Sequence, residues 1–204
     1  MTELKEETEN KILDAARTVF LQKGLDGARM QEIADEAKIS KALLHYYFRT
    51  KERLFDAIFR GVITVLFPKV NQIIDETLST DEIIRKFIYL YISMLKKHPY
   101  VPVFVIREIN RDPDAILKMF NDVQIWPMAL KFTELLNAEI EKGNIRKVDP
   151  KHVILNIISM SIFPVLSQPI IKGIVFKEGY TNYEDFMDER AEVIIDFVLN
   201  SLRP

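Results

Sequence analysis

Between Lys38 and Arg53, five basic side chains (Lys38, Lys41, Arg49, Lys51, Arg53) stand against a single acid, Glu52. Ser40, Tyr46 and Tyr47 are interleaved with them. The first 60 residues hold 11 Lys/Arg and 11 Asp/Glu, so this segment of net charge +4 is a local patch in a neutral region. Such a patch suits a polyanion. A DNA duplex carries about one charge per 1.7 Å, and each Lys or Arg that neutralises a phosphate releases a condensed counterion. Tyrosine and serine hydroxyls donate to phosphate oxygens, contacts that position a protein without reading sequence. Residue types alone leave a plainer alternative open, a solvated charged face with half-buried tyrosines, since charge clusters are common on soluble helices.

Other chemistries lack their constellations. His45, His98 and His152 are far apart and show no metal-ligand spacing. The six glycines never cluster, so there is no phosphate loop, and with no cysteine there is neither a disulfide nor a thiolate. Ser93 and Lys96 match S-x-x-K but stand without companion motifs, as two residues one turn apart. We therefore expect no catalytic site, no metal and no cofactor. The formal charge of −2 excludes a protein that coats nucleic acid with its whole surface.

The elements that must carry the patch are helical almost throughout. Ile12, Ala15, Ala16, Val19 and Phe20 share one face of a first helix, which Gly24 ends. A short second helix turns Ile33, Ala34 and Ala37 inward; Lys38-Ile39-Ser40 makes the turn, and Ser40 caps a third helix carrying Leu43, Leu44, Tyr47 and Phe48. Thr50 opens a long fourth helix that Pro68 should kink or end. Ser79–Glu82 and Thr181–Glu184 read as capping boxes, Asp112-Pro113 and Asp149-Pro150 as helix starts, His98-Pro99 and Gly143 as ends. The expectation is an all-α chain of about nine helices. The uncharged stretch from Val153 to Ile171 is about long enough to span a bilayer. Its Asn156, serines, Pro164 and Pro169 make it read as a helix buried in protein, and the N-terminus lacks the pattern of a signal peptide. No membrane association is expected.

Residue order resolves the ambiguity of the basic patch. Ile12-Leu-Asp-Ala-Ala-Arg-Thr-Val-Phe20, Gly24-Leu-Asp-Gly-Ala-Arg-Met-Gln-Glu-Ile-Ala34, Ile39-Ser-Lys-Ala-Leu-Leu-His-Tyr-Tyr-Phe48 and Thr50-Lys-Glu-Arg-Leu-Phe55 follow one another at fixed spacing. This stretch of about 45 residues resembles the TetR/AcrR family of transcriptional regulators. The resemblance implies a three-helix helix-turn-helix domain over residues 1–53, continuing into a connecting helix to about 67. It implies phosphate contacts from Ser40, Tyr47 and Lys51, and a groove-facing surface made of Lys41, Ala42, Leu43, His45 and Tyr46. Two departures stand out. Ala28 and Arg29 replace threonines common at the start of the second helix, where Arg29 would supply a charged phosphate contact, and Ala42 replaces a frequent glycine.

For residues 68–204 the resemblance implies a helical regulatory domain that binds a ligand and dimerises. Large apolar residues mark a candidate pocket: Phe87, Tyr91, Met94, Phe104, Phe120, Trp126, Met128, Met160 and Phe163, with Arg107 as a charge in an apolar run. Singly, each aromatic reads equally well as core. Ile154, Ile158 and Val165, with the stripe Ala191, Ile194, Ile195 and Val198, suit a four-helix dimer interface or, on the same pattern, an intramolecular core. The functional expectation is a cytoplasmic, homodimeric repressor. It would bind a palindromic double-stranded operator and be released by an unidentified small apolar or amphipathic effector. A helical adaptor that binds only protein is the competing reading, and it leaves Tyr47 and Lys51 unexplained.

Overall fold

The computed structural model describes residues 2–123, 125–174, 176 and 182–204. Among them the chain forms eleven helices and no strand, two more helices than the sequence suggests. It divides into two compact units, residues 1–65 and 66–204.

The first unit holds α1 (Thr2–Gly27), α2 (Met30–Glu36), α3 (Lys41–Tyr47) and the start of α4 (Lys51–Asp75). On α1 the stripe Ile12, Ala15, Ala16, Val19 and Phe20 is buried as its period demands. Gly24 breaks the helical path at φ +67°, and one further turn runs on to Gly27. Phe55 of α4 packs its ring on Phe20, centroids 4.9 Å apart.

The end of α2 has a feature that charge counting does not show. Lys38 N–H donates to the Asp35 carbonyl (3.0 Å) and Ile39 N–H to the Ala34 carbonyl (3.0 Å). This is the paired closure that usually places glycine in the left-handed region. Here the residue is Lys38, at φ +54°. A side chain in that conformation costs about 1 kcal/mol relative to glycine.

The second unit holds the rest of α4, then α5 (Thr80–Lys97), α6 (Tyr100–Arg111), α7 (Pro113–Asp122), α8 (Ile125–Glu141), α9 (Pro150–Leu166), α10 (Gln168–Ile174) and α11 (Tyr183–Leu202). Pro68 does not end α4, which runs seven residues past it. Ser79 and Glu82 cap each other's backbone at the start of α5, and Asp112 and Asp149 accept from the first turns of α7 and α9. Each such cap stabilises by about 1 kcal/mol. Gly143, at φ +75°, closes α8 with bonds from Gly143 N–H to Ile140 and from Asn144 N–H to Glu139. Thr181 lies outside the described residues; the residue that caps α11 is Asn182, whose side chain accepts from Asp185 N–H at 2.8 Å.

Helix α11 packs on α5 and α9. Lys96 of α5 is held by Asp188 (2.7 Å) and Glu184 (3.1 Å) of α11, so the S-x-x-K lysine is occupied in an ion-pair cluster. The uncharged stretch from Val153 to Ile171 is not one rod, because α9 and α10 meet at 73°. Helix α4 is long and apolar enough to cross a membrane by length and composition.

Lys38→Gly is expected to raise the stability of the first unit by about 0.5–1 kcal/mol by relieving the left-handed side chain. Urea denaturation of the full chain checks this; a loss of stability would show that Lys38 is not strained.

Candidate nucleic-acid interface

Helix α3 is seven residues long, and its two sides differ completely. Leu44 is fully buried and Phe48 nearly so, against the unit in which Ile33, Ala34 and Ala37 of the preceding segment are also buried. Ser40 Oγ accepts from Leu43 N–H at 3.1 Å and caps the helix. Lys41, Ala42, Leu43, His45 and Tyr46 are exposed, Tyr46 to 71%. Tyr47 is half-buried at the rim, edge-on to Tyr46 with ring centroids 5.5 Å apart. The sequence-derived residues Ser40, Lys41, Ala42, Leu43, His45 and Tyr46 thus form one continuous outward surface.

Arg29 sits at the cap of α2, exposed. Its backbone N–H donates to the Glu32 carboxylate at 3.2 Å, and its guanidinium, which has no acceptor atom, takes no part in the cap. Glu32 also accepts from Lys23 at 3.0 Å. The Lys23 hydrogen bond is the main reason its pKa lies below the usual carboxylate value.

Lys51 is also held by the chain itself. Its ammonium donates to the carbonyls of Ala28 (3.1 Å) and Asp26 (3.3 Å) and is half-buried. Two of its three donors are engaged by the chain ahead of α2. Lys51 is first a strut that ties the start of α4 to that turn. Its motif position showed that a cation was needed, whereas the carbonyls it meets are 23 and 25 residues away and leave no local signal.

The remaining cations of the patch behave differently. Lys23, Arg60, Lys86, Lys96, Lys131 and Lys142 each pair with a carboxylate. Among the described residues Lys38, Lys41, Arg49 and Arg53 have no acidic partner. Cations left unpaired on one short stretch are free to neutralise phosphates.

In the second unit an apolar cavity of about 100 Å³ lies among α4, α5, α8 and α9. Val70 and Ile74, Ile83 and Phe87, Ile125, Met128, Ala129 and Phe132, and Ile154, Ile157 and Ile158 line it. Of the expected pocket residues only Phe87 and Met128 do so. Tyr91 stacks on Phe87 at 5.7 Å, and burial pushes its hydroxyl pKa well above the ordinary value. Met94 and Phe104 are buried core, while Arg107, Phe120 and Met160 are half-buried away from the lining. Glu108, buried in the same apolar run as Arg107, is ion-paired to Arg111. Trp126 and Phe163 are 56% and 65% exposed and are not among the residues lining this cavity. The register of α8 explains Trp126: Ile125, Met128, Ala129 and Phe132 fall at i, i+3, i+4 and i+7 and take the inner face. Sequence reading favoured large aromatic residues, and the lining is mostly isoleucine.

The expected dimer residues are displaced in the same way. Val165, Ala191, Ile194, Ile195 and Val198 are buried within the unit, and Ile154 and Ile158 line the cavity, so intramolecular packing consumes that stripe. On the same two helices Leu155, Phe163, Val193 and Phe197 are each more than half exposed. The legible signal was that α9 is apolar around most of its circumference, which asks for burial on more than one side.

Residues 12–58 match the family described as bacterial regulatory proteins, tetR family. The chain is 27% identical to YttP of Bacillus subtilis, a probable HTH-type transcriptional regulator, over 88% of this chain and 87% of that one. It is 23% identical to the HTH-type transcriptional regulator RutR of Escherichia coli, over 95% and 89%. In fold it resembles the ketosteroid transcriptional regulator KstR2 of Mycobacterium tuberculosis, with TM-score 0.71, 19% identity, and 96% and 95% of the two chains covered. A TetR/AcrR-family regulator from Thermobifida fusca gives TM-score 0.71 at 19% identity, over 97% and 100%.

Lys51→Met is expected to destabilise the first unit by about 1–3 kcal/mol, because two carbonyls lose a charged donor. Lys41→Met should leave stability within about 0.5 kcal/mol. Paired urea titrations separate the two; equal, small effects would show that Lys51 is not a strut.

Proposed function

The chain belongs to the TetR/AcrR family of regulatory proteins, and from that premise we propose that it is a cytoplasmic, homodimeric transcriptional repressor. Each protomer presents α3 to a major groove of a palindromic operator. The observation that carries the reading is the outward surface of α3, flanked by four cations without acidic partners. Ser40, Tyr47, Arg29 and the remaining donor of Lys51 contact phosphates. Lys41, Ala42, Leu43, His45 and Tyr46 meet base edges. A twofold dimer reads two half-sites about 34–36 Å apart, one turn of the duplex or a multiple of it.

Self-association uses the exposed faces of α9 and α11, where Leu155, Phe163, Val193 and Phe197 remain uncovered. Four large apolar side chains on two adjacent helices form the kind of patch that a second copy buries. The effector occupies the cavity among α4, α5, α8 and α9. Its walls are entirely apolar, which supports an apolar molecule or the apolar part of an amphipathic one. At about 100 Å³ the cavity is smaller than the roughly 300 Å³ and above that drug-sized ligands fill, so binding must push its walls apart. Val70 and Ile74 belong to α4, the helix that begins at Lys51, and their displacement moves that helix. The effector releases DNA only by preferring the DNA-incompetent arrangement, and the coupling is reciprocal.

Selection of the full-length protein on random duplexes at moderate salt should enrich a palindrome. Failure to enrich any sequence with the dimer intact would sink the operator reading. Phe197→Asp should give a folded monomer by sedimentation velocity and weaken operator binding by at least tenfold, since about 1.4 kcal/mol is a factor of ten and a lost dimer costs more. A variant that stays dimeric rules this face out. Once an effector is found, its affinity with and without operator should differ by the same factor by which it weakens DNA binding.

A further inference from the structure

His45 lies one turn beyond Lys41 on the exposed side of α3. Its Nδ1 stands 3.1 Å from the carbonyl oxygen of Arg49. A carbonyl can only accept, so Nδ1 carries the proton, and in the neutral ring Nε2 is then a bare acceptor. Among the described residues no group bonds to that nitrogen. The side chain is thus held in one tautomer and one orientation by its own backbone, with an acceptor presented outward from the groove-facing helix.

We propose that His45 is a base reader of fixed polarity, selecting an amino-bearing base over a keto-bearing one. The inference rests on the reading of α3 as the recognition helix. In the major groove adenine offers its N6 amino donor and cytosine its N4 amino donor, whereas guanine O6 and thymine O4 are acceptors. Nε2 of neutral His45 accepts from either amine. Against a keto oxygen two acceptors meet with no hydrogen between them, and a desolvated acceptor is left unsatisfied. The two amino bases are tolerated and the two keto bases rejected on the contacted strand. Leu43 and Tyr46, its exposed neighbours, contribute apolar surface and a hydroxyl that can donate or accept, and neither imposes that polarity.

The experiment selects operators from random duplexes with the full-length chain at about pH 8, where imidazole is ordinarily neutral. One symmetry-related pair of positions should carry adenine or cytosine and exclude guanine and thymine. His45→Phe should lose the preference at that pair alone, and His45→Gln should narrow it to adenine, which glutamine contacts in bidentate fashion. Methylating the amino group of that base, as N6-methyladenine or N4-methylcytosine, keeps base pairing and blocks the groove-side hydrogen. It should cost the wild type about tenfold in affinity, the scale of one lost base contact, and the Phe variant less than about twofold. This measurement on the wild type needs no variant to fold. A palindrome enriched identically by wild type and His45→Phe, or an equal methylation penalty for both, overturns the role of His45 while leaving operator binding intact. No enrichment by the wild type removes the recognition helix reading and this one with it.

Discussion

A helix of seven residues has no stability of its own in water, because nucleating a turn fixes several residues for one hydrogen bond. Helix α3 exists only because the rest of its unit holds it. Leu44 and Phe48 are buried, Ser40 caps the start, and the Ala34–Ile39 closure sets the angle at which the chain enters. Every residue on the other side of α3 is thereby released from structural duty. Lys41, Ala42, Leu43, His45 and Tyr46 contribute little to folding, which is the condition under which a surface can be shaped for a ligand. Lys51 belongs to the supporting set. By tying the start of α4 to the Asp26 and Ala28 carbonyls it fixes the turn from which α2 departs, and α2 is what α3 packs upon.

The second unit follows a different economy. Several of its cations sit in ion pairs, Lys86 with Glu76, Lys96 with Glu184 and Asp188, Lys131 with Asp75 and Lys142 with Glu139. Exposed pairs of this kind contribute only about 0–1 kcal/mol each. Stability comes instead from aliphatic packing centred on α9, where Ile157 is fully buried and Ile154 and Ile158 close the cavity. Apolar walls need no hydrogen-bond partners, so a small void among them can persist dry and be filled by an apolar molecule.

Much of this was legible in the residues, and the limits have physical causes. Caps and stops act within four residues, so Ser40, Ser79, Asp112, Asp149 and Gly143 could be read directly. Amphipathic period identified the buried stripe of α1 for the same reason. Which of two apolar faces meets a neighbour is a tertiary matter. Ile194, Ile195 and Val198 were as suitable for a partner as for the core, and packing on α5 and α9 decided it. Large side chains mislead in the same way: Trp126 and Phe163 carry the most apolar surface, but their register points them outward. Of the two outcomes open for Pro68, a kink or an end, the helix does not take the second.

Lys38 lies at the junction of α2 and α3. A turn of this geometry is most stable with glycine, and the chain places a lysine there at φ +54°. Nothing in the packing requires the side chain, which is exposed and without an acidic partner. The cost of about 1 kcal/mol falls at the junction of the two helices that define the site. The lysine's only return is a positive charge held beside the cap of α3. Local strain retained without structural benefit points to a function, and here it agrees with the unpaired cations around it.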